Sequence, residues 1–182
     1  MKLSVFILAA FFFSTAAYAS DFKLTSLDIA EGKALSSEQV FSGFGCTGGN
    51  RSPELRWENA PAATKSFAVM VYDPDAPTGS GWWHWVVFNI PAAVADLPSG
   101  AGSQNASALP QGCVQSRTDF GKPGYGGACP PPGDKPHRYV FTVYALDVDR
   151  LDLEPDSSPA MVGFFLHSHT LATASITAVY GR

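Results

Sequence analysis

The sequence of 182 residues has one long hydrophobic run, and that run is too short to cross a membrane. It extends over residues 3–13, whereas a membrane-spanning helix needs about 20 apolar residues. Lys2 precedes the run, and the small-residue pattern Ala17-Tyr18-Ala19 follows it. This order is typical of a secretory signal peptide; an uncleaved anchor or a buried helix is the alternative. We therefore expect cleavage after Ala19, a periplasmic or secreted protein without a membrane span, and a single domain over residues 20–182.

Basic residues are also few, and they form no cluster. The chain has 12 Lys and Arg against 16 Asp and Glu, which gives a net charge of −4. Neutralisation of phosphates by basic side chains supplies most non-specific affinity for nucleic acids. We therefore expect no nucleic-acid partner.

Cysteine is scarce as well. The three cysteines are Cys46, Cys113 and Cys129, with no C-x-x-C pair of the kind that structural zinc sites use. An exported protein can form disulfides, but an odd number of cysteines leaves at least one outside an intramolecular bridge. There is also no G-x-S-x-G pattern, which marks the nucleophilic serine of one large hydrolase class.

What the chain does have is short apolar segments rich in β-branched and aromatic residues. They predict strands at 22–24, 55–57, 66–72, 83–90, 138–146 and 175–180. A late helix is predicted over 159–171, with Ser157 or Ser158 as its N-cap and Pro159 in its first turn. Two connections rich in Gly and Pro, 41–53 and 119–136, are expected to be irregular. The pattern indicates one mainly β domain.

The first candidate site is the stretch YDPDAPTGSGWWHWVVFN, residues 72–89. Asp73 and Asp75 follow a predicted strand, and Pro74 and Pro77 restrict the backbone around them. Carboxylates at a strand end can orient a histidine, bind a metal or perform catalysis. The alternative is an ordinary turn in which the aspartates accept hydrogen bonds from their own backbone.

A histidine lies among tryptophans in the same stretch. Two-residue alternation along a strand predicts that Trp82 and His84 share one face, and that Trp83 and Trp85 share the other. A single strand histidine is more often a core group than a ligand. A neighbouring carboxylate would favour a functional role, because it orients the ring and stabilises its protonated form.

A second candidate segment is PPPGDKPHRY, residues 130–139. The proline run forms a stiff wall with few N–H donors. His137 and Tyr139 begin a long strand and face the same side of it. Taken alone, this segment is equally compatible with the ordinary beginning of a strand.

In combination, these segments resemble the phosphatidylethanolamine-binding protein family, also called Raf kinase inhibitor-like proteins. The resemblance rests on DPDAP, WWHW and HRY in this order, and FSGFGCTGGNRSPELRW and GYGGACPPPGDKPHRY are similar to its bacterial YbhB/YbcL branch. It extends over almost the whole chain after the leader. It implies a large antiparallel sheet packed on a smaller sheet, with short peripheral helices that include one near the C-terminus. It also implies a pocket for small anions or phosphoryl groups and no cofactor.

Matching the family motifs to this chain gives the expected ligand-binding set: Asp73, Asp75, Pro77, Trp82, His84, Pro130, Pro131, His137 and Tyr139. The two histidines are expected to donate N–H bonds to the ligand, best when protonated, with an aspartate orienting them. Backbone N–H groups of Gly126 and Gly127 are expected to form an anion-binding nest. Two aspartates beside an anion pocket must be hydrogen-bonded and turned aside, or the affinity must be low.

The resemblance also suggests how the cysteines pair. Cys46 and Cys129 both lie in motifs of the bacterial branch, so we expect a disulfide between them that ties the two long connections beside the pocket. Cys113 is then the odd thiol, expected to be buried in a strand. A bridged Cys129 is not available as a nucleophile.

Three classes of function follow. The first is an exported, non-catalytic binding protein for a small anionic or phosphorylated ligand, with modulation of a partner implied only by the family's name. The second is a hydrolase, metal-dependent or metal-free, that uses Asp73, Asp75, His84 and His137. The third is an interaction protein whose pocket is vestigial, in which exposed aromatic residues such as Trp83, Phe164 and Phe165 support a homodimer.

Overall fold

A computed structural model describes residues 21–103 and 108–182, so the predicted signal peptide lies outside the described residues. Within them the chain forms ten strands and one α-helix. The strands are β1 (Lys23–Thr25), β2 (Ser42–Gly43), β3 (Cys46–Thr47), β4 (Leu55–Glu58), β5 (Ser66–Asp73), β6 (Trp82–Pro91), β7 (Asp96–Leu97), β8 (Val114–Gln115), β9 (His137–Leu146) and β10 (Thr170–Tyr180). The helix α1 is Pro159–His169, and a short 3₁₀ turn covers Ser37–Gln39.

Five strands form a large antiparallel sheet in the order β10-β9-β5-β6-β8. The central strand β5 reads SFAVMVYD, and almost every residue in it is buried. A strand that is apolar on both faces must be covered on both faces. This is why the apolar run 66–73 lies in the middle of the sheet.

A smaller sheet, ordered β1-β4-β7, covers one face of the large one. Trp57 of β4 packs against Phe67 of β5, with ring centroids 5.2 Å apart. Leu55 and Leu97 belong to the same buried cluster as Val69 and other residues of the large sheet. The predicted arrangement, a large sheet packed on a smaller one, is confirmed.

The helix α1 covers the opposite face. Val162 and Leu166 pack with Met70 and Phe88 of the large sheet. The Ser158 hydroxyl caps the helix by accepting a hydrogen bond from the backbone N–H of Met161 at 3.2 Å. No helix among the described residues is long and apolar enough to span a bilayer.

The helix ends two residues earlier than predicted, and the last strand begins five residues earlier. Thr170 already pairs with Leu146 of β9, and β10 then continues to Tyr180. The segment TLATAS has no apolar period of its own to indicate a strand. Its pairing with the long strand β9 decides its conformation.

The prediction that Trp83 and Trp85 lie on the same face of the strand is wrong. Val71 pairs with Trp85 and Tyr72 with Trp83, so His84 is an extra residue in a β-bulge. Trp83 therefore packs with the cluster under α1, and Trp85 lies in the core on the other face. Strict alternation fails because the bulge turns the strand by one residue directly after the histidine.

The two long connections are joined by the expected disulfide, Cys46–Cys129. The first connection is less irregular than predicted, since β2 and β3 form a short antiparallel ladder in it. Cys113 also differs from the prediction: it lies just before β8 and is half-buried, not inside a strand. It packs against the edge of the main core.

Candidate functional site

A cavity of about 250 Å³ lies at one end of the large sheet. Because β5 is antiparallel to β6 and β9, the end of β5 meets the beginnings of both neighbours there. The lining comprises Phe44, Asp73, Ala76, Pro77, Thr78, Trp82, His84, Phe120, Cys129, Pro130, Pro131, His137 and Tyr139. Of the nine predicted ligand-binding residues, only Asp75 is outside this lining.

Asp73 is the most enclosed charged group of the cavity, with 3% of its surface exposed. Its Oδ1 accepts hydrogen bonds from the backbone N–H groups of Asp75, at 2.8 Å, and Ala76, at 3.1 Å. Its Oδ2 accepts from Nδ1–H of His137 at 2.8 Å. Both oxygens are therefore engaged, and the carboxylate does not face the cavity as a bare charge.

Asp75 points out of the cavity. Its carboxylate accepts two hydrogen bonds from the Arg138 guanidinium, at 2.8 and 2.9 Å, and a third from the Arg138 backbone N–H at 2.9 Å. The hydrogen bonds from Arg138 hold the pKa of Asp75 well below its usual range. Asp75 is thus a structural link between the turn after β5 and the start of β9.

His137 lies between two carboxylates. Its Nδ1 donates to Asp73, and its Nε2 is 3.5 Å from Oδ2 of Asp134. Only 2% of its surface is exposed. The predicted orientation of a histidine by an aspartate is found here, between Asp73 and His137.

His84 has a different environment. Its Nδ1 is 2.7 Å from the carbonyl oxygen of Gly126, and burial lowers the pKa of its ring. A carbonyl oxygen only accepts, so Nδ1 carries the proton and Nε2 is left as an acceptor. The expectation that His84 donates to a ligand, best in its protonated form, is therefore not supported by its surroundings.

The predicted anion-binding nest is also absent. The N–H of Gly126 donates to the carbonyl oxygen of His84 at 2.8 Å. The N–H of Gly127 donates to Oδ1 of Asn50 at 2.7 Å. Both donors are used inside the protein, because this loop pairs with the bulged strand and with the 41–53 connection.

Three polar atoms of the cavity lining are buried and lack a hydrogen-bond partner: Nε1 of Trp82, Nε2 of His84 and the hydroxyl of Tyr139. Among the described residues only one other side-chain atom, Nε1 of Trp57, shares this condition. Burial raises the pKa of Tyr139 far above its usual value, so its hydroxyl remains a neutral donor. The cavity lining thus contributes two donors and one acceptor that no group in residues 21–103 and 108–182 satisfies.

Comparison with known proteins gives consistent results. The sequence model described as phosphatidylethanolamine-binding protein matches residues 25–181. The UPF0098 protein YbcL of Escherichia coli K12 is 56% identical, over 93% of this chain and 92% of its own length. YbhB of the same organism is 57% identical, over 87% and 99%. The crystal structure of E. coli YbcL matches with a TM-score of 0.88, covering 90% of this chain and 99% of that one.

This chain belongs to the phosphatidylethanolamine-binding protein family. The family and its YbhB/YbcL branch, both recognised from the sequence, are confirmed. The family is one of small-ligand binding proteins rather than a known enzyme class. The disulfide is typical of proteins outside the cytoplasm and agrees with the expected export.

Sequence reasoning missed two aromatic residues of this family member's cavity. Phe120 packs edge-on against Trp82 and His84, with centroid distances of 5.4 and 5.5 Å. Phe44 stacks near Phe120 at 6.0 Å and is 70% exposed, so it forms part of the rim. Both lie in Gly-rich connections, where no periodic pattern indicates which side chains turn inward.

Arg182 was also missed. Its Nε donates to the carbonyl oxygen of Pro130 at 2.7 Å, and its Nη1 donates to that of Gly45 at 3.0 Å. It therefore joins the same two connections as the disulfide. Arg182 reaches these two carbonyl oxygens because of where β10 ends, and the local sequence does not indicate that position.

Of the four residues of the hydrolase alternative, Asp73, His84 and His137 line the cavity, and Asp75 does not. Asp73 binds His137, Asp75 binds Arg138, and Nδ1 of His84 binds a backbone carbonyl. Within residues 21–103 and 108–182, no group of three or more His, Cys, Asp or Glu side chains is arranged to hold a metal ion.

Proposed function

We propose that this chain is an exported, non-catalytic binding protein whose cavity holds a small anionic or phosphorylated ligand. Membership of a family of binding proteins supports the general class. The observation that carries the proposal is the set of three buried, unpartnered polar atoms on Trp82, His84 and Tyr139 in one cavity. Each such atom costs about 1–3 kcal/mol when it stays unsatisfied, so a polar ligand that meets them regains this free energy.

The surrounding charges are compatible with an anion. Asp73 and Asp75 both have hydrogen-bond donors on their carboxylates, so neither directs a free charge at the ligand. The N–H of Trp82 and the O–H of Tyr139 are neutral donors, and no Lys or Arg among the described residues lines the cavity. A small, weakly charged oxyanion fits this environment better than a highly charged one.

The cavity walls are rigid. Pro77, Pro130 and Pro131 restrict the backbone around it, and the disulfide at Cys129 ties its loop to β3. A pre-formed site loses less conformational entropy on binding. Rigid walls therefore allow useful affinity from few hydrogen bonds.

Titration with inorganic phosphate, followed by tryptophan fluorescence, tests the proposal, since Trp82 lies in the lining. Tyr139→Phe removes one donor and keeps the ring, and it is expected to weaken binding about tenfold. Tyr144→Phe on the same strand is the matched control, because Tyr144 packs against the other cluster. An absence of saturable binding, or equal affinities for the two variants, would count against the proposal.

The hydrolase alternative makes the opposite prediction. A generic phosphoesterase assay on the purified protein, with and without added divalent metal, is expected to show no turnover above background. Turnover that His84→Ala abolishes would replace the binding proposal. Modulation of a protein partner stays a prediction from the resemblance alone.

Homodimer formation also stays a prediction. Phe164 and Met161 on α1 are exposed, at 68% and 48% of their surfaces. Light scattering is expected to give twice the monomer mass, and Phe164→Ser is expected to reduce it towards the monomer value. A monomeric wild-type protein would contradict this expectation.

A further inference from the structure

The β-bulge at His84 fixes which nitrogen of its ring faces a ligand. The bulge brings the backbone of His84 to Gly126, whose N–H donates to the His84 carbonyl at 2.8 Å. The Gly126 carbonyl in return lies 2.7 Å from Nδ1 of the ring. Since the carbonyl can only accept, the proton is held on Nδ1, and Nε2 presents a lone pair.

The surroundings of His84 keep its ring neutral. The residue is only 4% exposed, and burial lowers its pKa. The charged groups that oppose this effect are Asp73 at the end of β5 and Asp119 in the connection between β8 and β9. From β9 the ring meets the neutral Tyr139, at a centroid distance of 5.1 Å, and His137 shares the cavity lining. Desolvation is the largest of these effects, so the ring remains an acceptor at neutral pH.

This acceptor shares the cavity with two donors that lack a partner. Trp82 supplies an N–H and Tyr139 an O–H, and both are buried without a partner. A fully deprotonated oxyanion can accept hydrogen bonds from these two groups. It has no hydrogen to donate to Nε2 of His84, however, so two lone pairs would face each other there. A group that carries at least one O–H beside its free oxygens satisfies all three atoms.

We propose that the cavity selects protonated oxyanions of the hydrogen-phosphate type, with Nε2 of His84 accepting the ligand's O–H while Trp82 and Tyr139 donate to its free oxygens. This inference rests on the proposed function and adds the protonation state of the ligand to it. His84 is then the residue that determines specificity, and the ligand is either free hydrogen phosphate or the monoanion of a phosphomonoester.

Phosphate and sulfate provide the direct test. At about pH 8 both are mainly tetrahedral dianions, and they differ by the single proton that hydrogen phosphate carries. Calorimetric titration of the purified protein is expected to give at least tenfold tighter binding of phosphate. Equal affinities would overturn the selection and leave the binding function intact, whereas no binding of either anion would overturn both.

Methyl phosphate separates the two possible sources of the ligand. A phosphomonoester loses its last proton near pH 6, whereas inorganic phosphate keeps one throughout the range from about pH 5.5 to 8. Methyl phosphate affinity is therefore expected to fall about tenfold or more across this range, with a smaller change for inorganic phosphate. Constant affinity for methyl phosphate would contradict the role of the proton. Methyl phosphate that binds more tightly than phosphate at the acidic end would identify a phosphomonoester as the favoured class.

A pair of variants assigns the effect to His84. His84→Gln places an amide that can turn its N–H towards sulfate, so the preference for phosphate is expected to fall towards unity. His137→Gln alters the other histidine of the cavity. It is expected to weaken the binding of both anions and to keep the preference for phosphate over sulfate. A preference lost in His137→Gln and kept in His84→Gln would overturn the assignment.

A measurement on the wild-type protein avoids any dependence on how the variants fold. The ¹⁵N chemical shifts of the His84 ring at about pH 7 are expected to show a neutral ring protonated on Nδ1. On addition of phosphate, the Nε2 resonance is expected to move in the direction of an accepted hydrogen bond. An imidazolium, or a ring protonated on Nε2, would refute the proposal.

Discussion

Each of the two sides of the cavity contains one histidine, and the two rings have different neighbours. On the β9 side, His137 faces the carboxylates of Asp73 and Asp134. On the β6 side, His84 faces the carbonyl oxygen of Gly126 and the rings of Phe120 and Tyr139. The same side chain faces two carboxylates in one wall and is a neutral acceptor in an aromatic wall in the other. Residue type alone therefore does not define the role of a histidine; the group opposite Nδ1 does.

The largest effect is expected from the disulfide, which anchors the proline loop of the β9 side. Its two cysteines are 83 residues apart, and closing a loop of that length stabilises a protein by up to about 4 kcal/mol. The double variant Cys46→Ser, Cys129→Ser is expected to lose most of this free energy of unfolding, as measured by urea denaturation. Cys113→Ser is the control, because burial raises the pKa of that thiol to about 11 and keeps it from exchanging with the bridge. A double variant as stable as the control would refute the stapling role.

The second effect comes from breaking the hydrogen bond between Asp73 and His137 on the β9 side. Asp73→Asn keeps only one of the two accepting oxygens, so either His137 Nδ1–H or the backbone N–H groups of Asp75 and Ala76 lose their partner. This loss is expected to cost about 2 kcal/mol. Asp75→Asn is the matched variant, and it is expected to cost less because Arg138 lies at the surface. Urea unfolding of both variants checks the order. If Asp75→Asn is the more destabilising, the assignment of Asp73 as the buried anchor is wrong.

The third prediction concerns the pH dependence of stability, to which His84 in the cavity and Asp75 outside it contribute in different ranges. The pKa of His84 is lowered in the folded protein, so its contribution is present above the unfolded value of about 6.5 and is lost as pH falls below it. The pKa of Asp75 is also lowered, and its contribution is lost only in stronger acid, below about pH 4. The free energy of unfolding is expected to decline in these two separate windows.

Variants assign the windows. His84→Gln is expected to reduce the decline in the free energy of unfolding below about pH 6.5. Asp75→Asn is expected to reduce the decline below about pH 4. Thermal or urea unfolding across the pH range measures both. An unchanged profile in His84→Gln would mean that this ring does not titrate differently in the folded and unfolded chain.

The smallest effect is expected at the rim of the β6 side. Phe44→Ala removes an exposed ring that stacks near Phe120, and the expected loss of phosphate affinity is only a few-fold, with less than about 1 kcal/mol of stability. Leu27→Ala is the control, since Leu27 is 90% exposed and does not line the cavity. Equal phosphate affinities for the two variants would show that the rim ring does not touch the ligand.

Much of the fold was predictable because its strands are strongly apolar. The segments at Ser66–Asp73 and His137–Leu146 could be assigned from β-branched and aromatic residues alone. The segment 170–174 could not be, since its small and polar residues form a strand only by pairing with β9. The two-residue ladder at Ser42–Thr47 was equally hidden, because so few residues produce no alternation.

The membership of the cavity was largely predictable, and its chemistry was not. The motifs around Asp73, His84 and His137 identified three of its walls. The same motifs placed Asp75 in the ligand set, whereas the structure pairs it with Arg138. They also indicated two donating histidines, whereas the bulge places His84 against a carbonyl oxygen. Motifs specify residue types at given positions, but a hydrogen-bond partner is a matter of distance in space.

The sequence by itself determined the family, the mainly β architecture and the cysteine pair, because apolar pattern and motif order are properties of the chain. The tertiary structure alone decided the charge and tautomer of the cavity. One extra residue at His84 in the β5–β6 register shifts the strand by a single position. That shift places the ring of His84 next to the carbonyl oxygen of Gly126 instead of a carboxylate, and burial then keeps the ring neutral.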